Sequence, residues 1–327
     1  MNRYIQDAGY ELDSALVIND ETFNLLNRLR TFNANKTADS KVKLWGFDYQ
    51  SIHSPTQNSA IDIFDFVTNL NQEHKIPEID QFSLLLMQED RSLAINFLDT
   101  HRAEIGKLLT TEEIECLLHI MKVSKEMGDD GIERFRQRDH VMFLNASFLI
   151  ENFAKTEGTK TIIYGHAAHI NPVSTYPAVP CTPFGQYMHE VYAEDYSPLL
   201  LLSGKGKSVA YDKNYNRKNR SLNPTPPNSI EHALSTIDDD LLYLPLTNDF
   251  DKLTLSRFKG SHHIAQEFYP FNLYQRYKGL FFIKNTACEN LNEEEMSFEK
   301  SFEIFLLKTK QRQKELEEIQ KRSKNYH

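Results

Sequence analysis

Two histidines, His166 and His169, stand three residues apart in the segment IIYGHAAHINP, residues 162–172. They follow KTIIYG, whose β-branched residues predict a buried strand. Ligands of open α/β sheets bind beyond the carboxyl ends of strands, so both imidazoles are well placed. An unperturbed histidine pKa of about 6.5 lets a neutral imidazole take a proton from water. The pattern predicts catalytic histidines; the alternative is that they only hydrogen-bond their own loop.

A long predicted helix, GIERFRQRDHVMFLNASFLIENF, places a charged and an amide side chain among apolar ones on one face. Its Arg138 has the forked donors that hold a carbonyl or carboxylate, and we predict that it is catalytic. The alternative is a salt bridge that fixes the helix against the sheet. The residues predicted to bind substrate are Asp139, Met142 and Asn145 of this helix, with Asp48 and His53, which follow the predicted strand KVKLWGFD.

A metal site is a second interpretation of the histidines. His166, His169, His262 and His263 offer four ring nitrogens, but a loop HxxH differs from the helical HExxH of zinc proteases. The three cysteines are too few and too widely spaced for a thiolate site. We therefore predict that the chain uses no metal and no cofactor.

The composition limits the partners. The 327 residues carry a net charge of −9, and the basic residues are scattered, which argues against a nucleic-acid surface. There is no apolar run of the roughly 20 residues that span a bilayer, and the first residues do not form a secretory signal. We predict a soluble, cytoplasmic protein with a small-molecule ligand, without nucleic acid or membrane partners.

The order of elements predicts the fold class. Strand and helix patterns alternate except between about residues 60 and 155, where consecutive amphipathic helices predict an inserted helical lobe. We predict an α/β fold with a mixed, largely parallel sheet flanked by helices. Residues 291–327 predict a helical tail whose last, highly charged turns are exposed to solvent. A partner would bind at an exposed sheet edge or at this tail.

Five blocks in order resemble the erythromycin esterase family: GFDYQ, RDHVMFLNASFL, IIYGHAAHINP, FGQYMHEVYAEDYSPLLL and YKGLFFIKNTA. The resemblance implies one α/β domain over residues 1–290. It also implies hydrolysis of a carboxylic ester, such as a macrolide lactone, by histidine-activated water. In that scheme His166 and His169 match the family's histidine block, Arg138 and Asp139 match its arginine–aspartate block, and Asp48 matches an early aspartate.

The chain also departs from the family's pattern. It contains no GExxHG block, which in the family carries a glutamate and the principal catalytic histidine. Lys278 stands where the family has an aspartate, and Ala167 stands where it has an asparagine. Because catalytic residues act as a unit, these departures predict weak esterase activity. The alternative is a non-catalytic protein, derived from the family, that binds a small molecule or a partner.

Overall fold

The computed structural model describes residues 20–37, 40–48, 55–88, 91–124, 131–154, 158–173, 181–211, 217–258, 267–287 and 298–324. The chain divides into two units. Unit 1 comprises Met1–Gly9, Trp45–Thr161 and Ile304–His327, and unit 2 comprises Tyr10–Leu44 and Ile162–Glu303. The described part of unit 1 is helical, whereas unit 2 contains the described strands.

The helices in chain order are α1 (Asp20–Asn33), α2 (Pro55–Asn71), α3 (Pro77–Leu86), α4 (Arg91–Thr100), α5 (Arg102–Ile105), α6 (Thr111–Val123), α7 (Gly131–Phe153), α8 (Ala167–Ile170), α9 (Phe184–Tyr192), α10 (Ile230–Ser235) and α11 (Phe298–Ser323). The strands are β1 (Leu199–Tyr211), β2 (Arg217–Ser221), β3 (Leu241–Pro245), β4 (Leu253–Arg257), β5 (Phe268–Asn272) and β6 (Gly279–Thr286). None of these helices is long and apolar enough to cross a bilayer.

Unit 1 has a core built from the apolar faces of its helices. Its fully buried members include Phe64 on α2, Phe82 on α3, Leu98 on α4, Met121 on α6 and Ile319 on α11. The start of α6 is fixed by a capping box, in which the Thr110 hydroxyl accepts from the backbone N–H of Glu113 and the Glu113 carboxylate accepts from that of Thr110.

The C-terminal helix is part of this core. Ile319 is 0% exposed, the Arg312 guanidinium donates to Asp65 at 2.7 Å, and Arg322 donates to the buried Asp80 at 2.9 Å. Most residues in the last turns of α11 are exposed, as predicted, but Arg312, Ile319 and Arg322 are packed against the rest of unit 1. The sequence does not reveal this stripe, because its two arginines and one isoleucine recur at the helical period among many charged residues that face solvent.

The sheet of unit 2 has the strand order β2-β1-β6-β3. Its class, mixed α/β, is confirmed, but "largely parallel" is wrong, because β1–β6 is parallel while β1–β2 and β3–β6 are antiparallel. A short connection returns the chain from β1 directly into β2, which only an antiparallel pair permits. Strands β4 and β5 form a separate antiparallel pair.

The predicted strands at residues 41–48 and 160–165 are not strands in the structure. Ile162 is 94% and Tyr164 78% exposed, and the backbone of Val42 is hydrogen-bonded by the Asn33 side chain at 2.8 and 2.9 Å. β-branched residues favour an extended backbone, yet a strand also needs a neighbour with which to pair. Among the described residues, these two segments have no such neighbour.

The inner face of the sheet positions the histidine segment. Leu200 and Leu202 of β1 and Leu280 and Phe282 of β6 are buried against α10 and the segment that contains Ala167 and Ile170. Gly204 lets the two strands and α10 approach closely, since a Cβ there would lie 2.7 Å from the carbonyl oxygen of Lys284. The short helix α8 thus rests on the sheet core.

The packing of α11 predicts the effect of truncating Ile319. Ile319→Ala leaves a cavity in the core of unit 1, and we expect a loss of about 2–5 kcal/mol in the free energy of unfolding. Leu307→Ala on the same helix is the control, because Leu307 is 61% exposed and its loss costs within about 0.5 kcal/mol. Urea denaturation followed by circular dichroism measures both; equal losses would contradict the packing.

Candidate active site

The segment from His166 to Val173, called the histidine loop below, contains the one-turn helix α8. His166 is the N-cap of that helix, with extended backbone angles (φ −65°, ψ 144°), and its Nδ1 accepts a hydrogen bond from the backbone N–H of Ala168 at 3.1 Å. A backbone N–H is only a donor, so Nδ1 must be the unprotonated nitrogen. The ring proton of neutral His166 is therefore on Nε2.

Asn171 closes the other end of the loop and is 0% exposed. Its Nδ2 donates to the carbonyl oxygens of Ala167 and Ala168 at 2.9 and 3.1 Å, and its Oδ1 accepts from the backbone N–H of Val173 at 2.9 Å. These bonds satisfy the last carbonyls of a helix too short to be stable alone. Asn171 therefore keeps the helical turn formed.

Three side chains outside the histidine loop attach it to the rest of unit 2 by hydrogen bonds. Arg276 donates to Asn171 Oδ1 at 3.1 Å and to the carbonyl oxygen of Val173 at 3.0 Å. The hydroxyl of Tyr277 donates to the carbonyl oxygen of Ala167 at 3.3 Å, and that of Tyr196 donates to Ile170. Burial raises the pKa of both tyrosines, which keeps them as hydroxyl donors.

The two catalytic candidates of this loop lie close together. The ring centroids of His166 and His169 are 6.4 Å apart, with planes at 74°. His166 is exposed, His169 is half-buried, and the edge of Phe258 meets the His166 ring at 5.5 Å. Phe258 also lines a small cleft with room for about one water molecule, bordered by Leu200, Ser256, Arg257, Phe271, Leu273, Arg276 and Tyr277.

A buried ionic cluster supports the wall of this cleft. Arg257, 8% exposed, donates to the Glu267 carboxylate and to the carbonyl oxygens of Gly204 and Asn223 at 3.0 and 2.9 Å. Glu231, 0% exposed, accepts from the backbone N–H of Arg257 at 2.7 Å and from the Ser256 hydroxyl at 3.0 Å. The Arg257 guanidinium pairs with Glu267, whereas Glu231 is held by the Arg257 backbone and by Ser256, and burial raises the pKa of Glu231.

The other predicted site residues lie in unit 1. Arg138 holds Asp48 with two parallel bonds, from Nε at 2.9 Å and from Nη2 at 2.5 Å. Asn145 donates to the carbonyl oxygen of Phe47 at 2.9 Å, and its Oδ1 lies 3.0 Å from His119 Nε2. These bonds attach the segment that ends at Asp48 to α7, and that segment is not part of a sheet.

The structure thus brings the predicted residues together as two groups. The histidine pair belongs to unit 2, while Asp48, Arg138, Asp139, Met142 and Asn145 belong to unit 1, where Asp139 and Met142 are buried. His53, His262 and His263 fall outside the described residues. Within the described ranges, no cluster of three or more His, Cys, Asp or Glu side chains could hold a metal ion.

Sequence reasoning missed most of the groups that support the histidine loop. Asn171 lies inside the quoted segment, and a buried asparagine just after a helical turn is a recognisable cap. Arg276, Tyr277, Arg257 and Glu267 carry no local signal, because they reach the loop and its cleft from strands and turns distant in sequence. Lys278, which replaces a family aspartate, donates to Glu194 at 3.1 Å on the surface.

Comparisons with known proteins identify the family. The family model described as Erythromycin esterase matches residues 1–286, so the chain belongs to the erythromycin esterase family, as its five blocks predicted. That membership points to a hydrolase acting on a small molecule. No curated protein gives a match.

Two solved structures support the fold, and a third is less similar. A succinoglycan biosynthesis protein superposes with a TM-score of 0.60 at 18% identity, over 88% of this chain and 76% of its own. A Bacillus cereus protein gives 0.57 at 15% identity, over 82% and 72% of the two chains. A mutant of the erythromycin esterase EreC in its open conformation gives 0.44 at 14% identity, over 80% and 73%.

The close approach of α9 to the histidine loop predicts a strong effect at Gly185. A Cβ there would lie 2.2 Å from the carbonyl oxygen of Ile170, so Gly185→Ala must displace the loop. We expect a loss of about 1–3 kcal/mol in stability together with shifted His166 and His169 ring resonances in NMR spectra. Gly46→Ala is the control, since nothing lies within 4 Å of a Cβ at that position. Unshifted resonances in Gly185→Ala would refute the contact.

The burial of Glu231 predicts a pH-dependent gain from Glu231→Gln, which keeps the acceptor for Ser256 and Arg257. Since the folded pKa is raised, the wild type loses stability as the pH rises above the unfolded value of about 4.3 and through the folded pKa. Glu231→Gln does not lose this stability, because its neutral amide does not ionise. Its melting temperature, relative to wild type, should therefore rise from pH 4 to pH 8, whereas the exposed control Glu317→Gln shows no such trend. A pH-independent difference would exclude the assigned cause.

Proposed function

We propose that this chain hydrolyses a small carboxylic ester or lactone, with the histidine loop supplying the catalytic groups. The observation that carries the proposal is the pairing of His166 and His169, 6.4 Å apart at the cap of α8, in a chain of the erythromycin esterase family. A macrolide lactone and simple aryl esters are the substrates to test first. No metal or other cofactor enters the proposed reaction.

The N-cap hydrogen bond indicates which of the two histidines is the better candidate for the base. Because Nδ1 of His166 accepts from Ala168, its neutral ring presents Nε2–H, which is a donor. A donor suits the carbonyl oxygen, where negative charge develops during attack. His169, half-buried beside it, is left as the group that takes a proton from the attacking water.

The proposed reaction balances without a covalent enzyme intermediate. The water oxygen forms a bond with the carbonyl carbon while its proton passes to His169, and the Nε2–H of His166 stabilises the resulting oxyanion. The tetrahedral intermediate then breaks its bond to the alkoxy oxygen, which takes the proton back from His169. The products are the carboxylic acid and the alcohol.

In unit 1, we propose that Asp48 and Arg138 bind polar groups of a small molecule, with Asp139, Met142 and Asn145 holding the helix that carries Arg138. The bidentate pair gives the guanidinium a fixed orientation, which suits recognition of a planar group. His53, which follows Asp48 in sequence, belongs to the same proposal.

A second candidate is a non-catalytic protein that binds a small molecule of the same class. The observation in its favour is that both Nε and Nη2 of Arg138 are already engaged by Asp48. Lys278, in place of an acidic residue, favours it as well, because it reverses a charge of the family's pattern. Such a protein gains thermal stability with ligand and releases no product.

Substitution of the histidines tests the catalytic proposal. We expect His169→Gln to lower kcat/KM for an aryl ester about 10²–10⁴-fold, the usual contribution of a general base. His166→Ala removes the proposed oxyanion donor and lowers kcat more than it raises KM. The exposed His189 on α9 provides the matched control, and His189→Gln should retain wild-type rates.

Product analysis by chromatography, with macrolides and aryl esters in parallel, provides the measurement. Wild-type turnover that is insensitive to both loop substitutions would contradict the assigned roles. If a macrolide stabilises the chain thermally and no product forms at any pH, the catalytic proposal is wrong and the chain is a binding protein.

A further inference from the structure

One face of the sheet in unit 2 carries large apolar side chains that are open to solvent. The strand register places Leu201, Phe281 and Tyr243 side by side across β1, β6 and β3. They are 55%, 37% and 54% exposed, and the Tyr243 and Phe281 rings lie 5.0 Å apart. Leu199 and Leu241, 39% and 63% exposed, extend the same face.

This apolar face, called the open face below, belongs to strands whose sequence is typical of burial on both sides. Leu199–Leu202 is an unbroken run of leucine, and β6 continues as Leu280, Phe281, Phe282 and Ile283. Parallel strands with such runs are normally covered by helices on both faces of the sheet. The opposite face is covered by the core around α10, so one layer is still required.

Helix α1 has the complementary feature, an apolar stripe that is exposed at Leu25 and Phe32. Leu25, Leu29 and Phe32 recur at spacings of four and three, and Leu25 and Phe32 are 55% and 51% exposed. Within the part of the chain that the structure describes, α1 makes no extensive contact with any strand. At 14 residues it is about 21 Å long, enough to cross three strands spaced about 4.8 Å apart.

Charges at the edges of the two surfaces are complementary. Arg28 lies at the edge of the stripe of α1, next to Phe32 on the helical wheel. The acidic run Asp238–Asp240, exposed to solvent, leads directly into Leu241 at the border of the open face. The positive charge of Arg28 beside the apolar stripe is thus complementary to the negative charges of Asp238–Asp240 beside the open face.

We propose that the open face binds α1 of a second copy of this chain, so that two chains form a two-fold symmetric dimer. In such a dimer each copy gives its α1 and receives that of the other, and the contact is made twice. The double contact brings the buried surface towards the roughly 800 Å² per partner of a stable interface. Phe32 and Leu25 fill the layer that β1, β6 and β3 lack.

Sedimentation of the full chain over a concentration series tests the dimer. The wild type should sediment at twice the 38.1 kDa chain mass, whereas Leu201→Lys on the open face and the double variant Leu25→Asp, Phe32→Asp on α1 should each be monomers. Circular dichroism must show that both variants are folded. The exposed Leu307→Asp on α11 is the matched control and should remain dimeric.

Mixing the two interface variants distinguishes a dimer formed by α1 and the open face from a dimer formed by other surfaces. A mixed pair keeps one intact contact, the wild-type α1 of the Leu201→Lys chain on the wild-type face of the other chain, and should dimerise more tightly than either variant alone. A monomeric wild type, dimers unaffected by both substitutions, or no gain on mixing would each overturn the proposal. If the wild type is a monomer and its α1 is protected from hydrogen exchange, α1 packs on the open face of the same chain and the proposal is wrong.

Discussion

The hydrogen bonds of Asn171 are the constraint on which the candidate site depends. One buried amide closes the single turn of α8, receives Arg276, and fixes the chain that leaves the histidine loop. A four-residue helix has no stability of its own, so its geometry is imposed by these bonds and by the sheet beneath it. Both histidines owe their relative placement to that turn.

The same turn determines the chemistry available to each imidazole. As the N-cap, His166 uses Nδ1 to satisfy the backbone of Ala168, and its proton lies on Nε2. His169 sits one helical turn later, where the period of the helix returns its side chain to the vicinity of His166. The three-residue spacing across this turn therefore yields one donor and one candidate base, rather than two equivalent bases.

Part of this arrangement could be predicted from the sequence. The family, the α/β class, the capping box at Thr110 and the proximity of His166 and His169 follow from local patterns. The wrongly predicted strands at residues 41–48 and 160–165 could not be excluded from local sequence, because whether an extended segment pairs depends on a neighbour elsewhere in the chain. The supports of the site, Arg276, Tyr277 and the Glu231–Arg257–Glu267 cluster, come together only through the fold.

The tautomer of His166 is the most direct test of this account. Long-range proton–nitrogen NMR spectra of the uniformly labelled chain distinguish a protonated nitrogen from an unprotonated one in each neutral imidazole ring. The account predicts that neutral His166 has its proton on Nε2, with an unprotonated Nδ1 bonded to Ala168. A proton on Nδ1 would mean that the cap is not formed, and would contradict the roles assigned to both histidines.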